Sequence, residues 1–166
     1  MPEEKIELLK DIYEHILLQY KLLEDANEKL SQKGTNLIGF IGVILGITVN
    51  LFLYKLELLS QINIYSGAFA VVIIILLSVS LICFLYGTKV RTFTSLITPS
   101  FLIDKFEEGV SREVFWTQFI KGAKRAYEEN KKINKTKSCW IKRGNIIFLI
   151  ALITLTIYTI LIVIKK

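Results

Sequence analysis

Few side chains in this chain have the chemistry for catalysis. His15 is the single histidine, and it sits in a charged, helix-forming stretch that gives it a surface role. Cys83 and Cys139 are the two cysteines, and both are expected to be free thiols. No Cys/His cluster has metal-ligand spacing, and neither a phosphate-binding glycine loop nor a nucleophile motif is present. The carboxylate pairs Glu107/Glu108 and Glu128/Glu129 are adjacent in sequence, so on a helix their members point to different sides. The reading is a non-enzyme without a cofactor or metal.

What remains is the chemistry of small and polar residues inside apolar runs. The stretch "LIGFIGVILGITVNLFL", residues 37–53, has no charge and carries Gly39, Gly42 and Gly46, with Asn50 one turn further on. Glycine weakens a helix in water by about 1 kcal/mol relative to alanine. In lipid the balance differs. Helices there gain little from the hydrophobic effect on pairing, so close backbone approach and interhelical hydrogen bonds decide contact. Gly42-x-x-x-Gly46 has that small-residue spacing, and the Asn50 amide needs a partner or water. The face is a packing face. It meets another span of the same chain, a second subunit, or a pore in which Asn50 forms a polar ring.

Other polar groups in apolar runs are Ser78, Ser80 and Cys83, then Thr154, Thr156, Tyr158 and Thr159. Hydroxyls can bond back to their own helix or form a seam facing water. The runs contain no acidic, basic or histidine residue, which argues against a proton relay, pump or voltage sensor.

These residues need elements that cross a bilayer. The chain has 166 residues, 52% of them apolar, and its apolar residues come in blocks. Three charge-free runs, 37–54, 65–86 and 145–164, are each about 18–22 residues long. A helix needs roughly 20 residues to cross ~30 Å of hydrocarbon. The expected fold is therefore an all-α integral membrane protein with three transmembrane helices and long cytosolic helical extensions. Residues 1–36 form a cytosolic amphipathic helix, 37–86 a transmembrane hairpin, 87–144 a cytosolic helical segment, and 145–166 the third span and C-terminus. The opening "MPEEKIELLK" does not read as a signal peptide.

Basic residues set the expected orientation. Of 21, five precede the first run, only Lys55 lies between the first two, and 13 lie between Thr88 and Gly144. Cytoplasmic flanks carry the lysine and arginine excess, so the arm and residues 87–144 are expected in the cytoplasm and the C-terminus outside. Lys165 and Lys166 are a small violation of that rule. Tyr54, Tyr65, Tyr86 and Trp140 stand at span ends, where amphipathic rings favour the headgroup zone. The net charge of +6 reads as a mixed cytosolic surface and not as a nucleic-acid patch. The exception is the segment beside the third span, where Lys131, Lys132, Lys135, Lys137, Lys142 and Arg143 cluster. They serve as positive-inside anchors or contact anionic lipid.

The arm reads as one helix. Pro2 suits its first turn, and Glu3 and Glu4 complement its dipole. Ile6, Leu9, Tyr13, Ile16, Tyr20, Leu23, Asn27 and Leu30 recur every three or four residues, so this face is buried, within the chain or between copies. Only Gly34 stands between the arm and the first span. Beyond the second span, Pro99 breaks the chain, a short helix covers Phe101 to about Glu108, and Gly109 stops it. Ser111 then caps a longer helix with Glu113 in its first turn, marked by Phe115, Phe119, Gly122, Ala126 and Ile133. That helix is expected to run through Trp140 into the third span, with Gly144 as its weak point.

The stretch "HILLQYKLLEDANEKLSQKGTNLIGFIGVIL", a tight turn, then "NIYSGAFAVVIIILLSVSLICFLY" and the basic "AYEENKKINKTKSCWIKRGN" resemble small prokaryotic membrane effectors of nucleotide-signalling and phage-defence systems, the group called SLATT. The resemblance is one of layout. The third span departs from the simplest two-span form. It implies self-assembly into membrane-disrupting pores in response to a signal or partner. The expected function is an oligomeric pore-forming or membrane-perturbing effector. Its expected partners are the lipid bilayer, further copies of the chain and a soluble cytosolic regulator. The alternative is a non-conducting anchor or scaffold whose cytosolic helices dock a soluble partner.

Overall fold

The computed structural model describes residues 2–57, 64–89, 93–94 and 109–164. The described residues form three helices: α1 (Pro2–Glu57), α2 (Ile64–Thr88) and α3 (Arg112–Ile164). All three are long and apolar enough to cross a membrane. The turn at 58–63, the Pro99 break, the short helix at 101–108 and the two C-terminal lysines lie outside the described residues.

Neither candidate break interrupts a helix. α1 passes through Gly34 and α3 through Gly144, because an isolated glycine weakens a helix without removing a hydrogen bond. Gly109 has φ +64°, in the left-handed region that glycine tolerates, and α3 starts three residues later. Ser111 contributes its carbonyl to the first turn, accepting from the Phe115 amide at 2.9 Å.

The chain divides into two units, Met1–Lys29 with Val90–Thr136, and Leu30–Lys89 with Lys137–Lys166. In the first, the arm packs on the first half of α3. The Tyr13 ring lies 4.6 Å from Phe119 and 5.9 Å from Trp116, and Phe115 stacks on Phe119 at 5.5 Å. Phe119, Ala123 and Ala126 are buried, and the two alanines leave room for close approach. Lys5 pairs with Glu113 at the solvent edge.

Polar groups pin this unit. Asn130, fully buried, accepts from the Thr94 amide and donates to the Thr94 carbonyl, both at 2.9 Å. Tyr20 donates to the same carbonyl at 3.0 Å, and the Thr94 hydroxyl donates to Glu129. Burial, with the Glu24 charge second, raises the Tyr20 pKa above 10.0. Hydrogen bonds from Arg125 and then Thr94 lower that of Glu129. Asn130→Ala removes the partner of the Thr94 amide and leaves the Thr94 carbonyl to Tyr20 alone, and should destabilise the unit by about 1–3 kcal/mol. Thermal unfolding followed by circular dichroism checks this. An unchanged midpoint would refute it.

Asn134 is a different case. Its amide donates to the Leu23 carbonyl at 2.7 Å, while its Oδ1 is buried with no partner among the described residues. Asn134→Leu removes the unsatisfied oxygen together with the bond to Leu23, whose carbonyl lies inside α1, so the relief offsets part of the loss. Asn134→Leu should therefore lower the unfolding midpoint less than Asn130→Ala does, and an equal or larger drop would contradict that account.

The second unit is a three-helix apolar bundle. Its core is Ile41 from α1, Ile73, Leu77 and Phe84 from α2, and Ile141, Phe148 and Ala151 from α3. Ser80 is fully buried and donates to the Gly144 carbonyl at 2.9 Å, a bond between helices. Thr48, Thr88, Thr154, Thr156 and Thr159 instead bond back four residues within their own helix.

Candidate functional site: an outward glycine face

The covered face of α1 follows a seven-residue repeat. One row is Ile6, Tyr13, Tyr20, Asn27, Gly34, Ile41 and Thr48; the other is Leu9, Ile16, Leu23, Leu30, Leu37 and Ile44. None of these residues is exposed. Thus Leu9, Tyr13, Ile16, Tyr20, Leu23 and Leu30, the packing residues expected for the arm, are partly or fully covered within one chain. A repeat of seven keeps one seam of a helix against its neighbours, and the two rows are its inward positions.

The glycines lie on the other side. The outermost row reads Glu4, Asp11, Leu18, Asp25, Gln32, Gly39, Gly46, Leu53, and all eight are exposed. In the arm it carries charge; in the apolar stretch it carries Gly39 and Gly46. Gly42 and Asn50 occupy the adjacent outer rows and are also exposed. At 100° per residue, the glycines are centred about 130° from Ile41. A Cβ built on Gly39, Gly42 or Gly46 meets nothing within 4 Å. These glycines therefore do not serve packing against α2 or α3, which was one of the three uses open to them. Phe40, Val43, Ile47 and Leu51 beside them are exposed as well.

The glycines that do admit a neighbour are Gly34, Gly87 and Gly144, all buried. A Cβ on Gly87 would lie 2.8 Å from Ile141 Cγ1 and 3.3 Å from its backbone nitrogen. One on Gly144 would lie 3.0 Å from the Phe84 ring, and one on Gly34 would overlap the Thr88 methyl. Sequence reasoning treated Gly34 and Gly144 as helix weak points and passed over Gly87. Extending the seven-residue repeat of α1 past Leu30 would have placed Gly34 inside. A buried row on α3, Ala123, Asn130, Lys137, Gly144 and Ala151, has the same period and was also missed.

The basic residues separate. Lys131, Lys132 and Lys135 are exposed in the first unit, with Lys131 over the Tyr127 ring at 5.6 Å. Lys142 and Arg143 are exposed in the second. Lys137 is buried, its ammonium donating to Ser31 at 3.3 Å, which turns it away from any headgroup. Counted by unit, the first holds 13 basic and 14 acidic residues, the second 8 and 1. The net charge of +6 thus belongs to the apolar unit, and the unit carrying the arm is close to neutral.

Among the described residues no three His, Cys, Asp or Glu side chains come together in a group that could hold a metal ion. What the arrangement offers is a smooth, backbone-exposing strip on an apolar helix. Comparison with protein-family models, curated proteins and solved structures found no match to this chain.

Proposed function

We propose that the chain is an oligomeric membrane protein that forms pores or otherwise perturbs the bilayer, assembled through the glycine face of α1. The supporting observation is the empty space over Gly39, Gly42 and Gly46. A helix surface that meets only lipid gains nothing from three glycines, which remove apolar side chains and weaken the helix. A second helix gains closer backbone contact there. Asn50 lies on the same outer side and supplies a polar group for the interface or for a pore wall. In this reading the first unit is cytosolic, following the lysine excess, and acts as the regulatory part. The resemblance in layout to SLATT effectors is in keeping with this assignment.

Liposome leakage tests the proposal. The purified chain reconstituted in vesicles should release a trapped dye and run as a discrete oligomer in detergent. A monomer that never leaks, alone or with cell extract added, would sink it.

One observation favours a second reading, a non-conducting scaffold. Leu8, Ile12, Leu18 and Leu22 are 59%, 40%, 55% and 54% exposed on the arm, in the unit that holds nearly all the acidic residues. A soluble partner could cover them. Stable co-purification of such a partner with a chain that never leaks would favour this reading.

A further inference from the structure

The apolar unit ends, on the side of Lys33, Lys89 and Lys142, in a cluster of aromatic and basic side chains. Tyr86, in the last turn of α2, stacks on Trp140 of α3 with ring centroids 5.4 Å apart and planes 26° from parallel. The Arg143 guanidinium lies over the same Trp140 ring, 5.4 Å from its centroid. Tyr86 is 52% exposed, and Arg143 and Lys142 are exposed beside it. Lys89 follows Tyr86 by one turn and is exposed, as is Lys33 on α1.

No carboxylate of this unit answers these cations. Its one acidic residue is Glu57, at the far end of the apolar run of α1. A guanidinium resting on an indole keeps its N–H edge free, and that edge matches two oxygens of a phosphate. Trp and Tyr rings favour the headgroup depth of a bilayer. A basic end with no acidic residue of its own unit beside it, an arginine oriented by a ring, and a pair of aromatics suited to the interface all fit one ligand.

We propose that Arg143, oriented by Trp140 and Tyr86, binds the phosphate of an anionic phospholipid in the leaflet bordering Lys33, Lys89 and Lys142. The inference rests on unit two being inserted in a bilayer; it does not depend on pore formation. It goes beyond diffuse attraction, because it assigns one arginine a fixed geometry and leaves Lys137 out.

The chain has two tryptophans, so Trp116→Phe leaves Trp140 as the sole indole reporter. That variant is placed in phosphatidylcholine vesicles doped with brominated phosphatidylglycerol or, separately, brominated phosphatidylcholine. Per molecule, the brominated anionic lipid should quench Trp140 about fivefold more, the factor matching ~1 kcal/mol for one basic group near an anionic surface. Adding Arg143→Gln should cut that preference to the residual attraction of Lys33, Lys89 and Lys142, and an undiminished preference overturns the site. Adding Arg143→Lys, which keeps the charge without the fork, should fall short of the parent. Equal quenching in the parent, or a lysine variant matching it, overturns the site. Relief by soluble glycerol phosphate at constant ionic strength overturns the lipid assignment in favour of a free phosphate. A second measurement avoids the Trp116 change: phosphatidylglycerol retained per chain after detergent purification should fall in Arg143→Gln relative to wild type, and equal retention counts against the site. Failure of the chain to float with any vesicle removes the membrane premise, whereas flotation without anionic preference removes this inference alone.

Discussion

Gly42→Leu is expected to leave the folded protomer intact and to abolish its assembly. Among the described residues nothing outside the local helix lies within 4 Å of a Cβ at Gly42, so the new side chain starts into open space on the side away from α2 and α3. Helix propensity favours leucine over glycine by up to about 1 kcal/mol, so α1 should be no less stable. Between copies the same side chain holds two backbones apart where the glycine strip would let them meet. Oligomer affinity should fall at least tenfold, about 1.4 kcal/mol or more, and vesicle leakage should fall with it. Sedimentation in detergent reads the first and dye release the second. Circular dichroism confirms that the helices persist. An oligomer of undiminished affinity would show that the strip faces lipid.

Gly87→Val should do the reverse, breaking the protomer itself. The added Cβ would sit 2.8 Å from Ile141 Cγ1 and 3.3 Å from the Ile141 backbone nitrogen. The side-chain atom can move, but the backbone nitrogen moves only with α3. Overpacking of this kind costs about 1–3 kcal/mol, and more where backbone must shift. The Val branch raises the cost further through its restricted χ1. Denaturant titration of the detergent-solubilised chain should show earlier loss of the fold, while Gly42→Val under the same conditions should not. The two substitutions form a pair. Both place the same branched side chain on a glycine of an apolar helix, and the direction in which that glycine faces separates their outcomes. Equal stability of Gly87→Val and wild type would mean that α2 and α3 do not approach as described.

The proposed lipid site stands apart from both. Its residues lie at the basic end of the apolar unit, and none belongs to the glycine strip. Reduced anionic preference in Arg143→Gln with leakage retained would assign the arginine to lipid choice and leave assembly to α1.

Much of the architecture was already legible in residue order. Three uncharged runs stand out because length and hydropathy belong to the residues themselves, whatever the tertiary fold. Continuous helices through Gly34 and Gly144 follow from the absence of proline there, since glycine weakens a helix and proline removes its hydrogen bond. The inward face from Ile6 to Leu30 is periodic, and period is a property of one helix. The tendency of threonine hydroxyls to bond back to their own helix is equally local.

Relations between helices were not legible in this way. Asn130 holds Thr94 across 36 positions, and no spacing in the chain announces that pair. Ser80 reaches Gly144 on another helix, although threonines in similar runs turn inward on their own. The glycine-rich stretch looked like the place where spans meet, but the structure turns it outward and gives close contact to Gly34, Gly87 and Gly144. Lys137 shares a sequence cluster with Lys135 and Lys142 but differs in helical phase, and phase carries it inside. Residue order by itself determined which segments are helical, which are apolar and how their faces repeat, because these follow from each residue's own solvation and backbone preferences. Tertiary structure alone decided which face meets which helix, because contact depends on the rotation and register of two helices together.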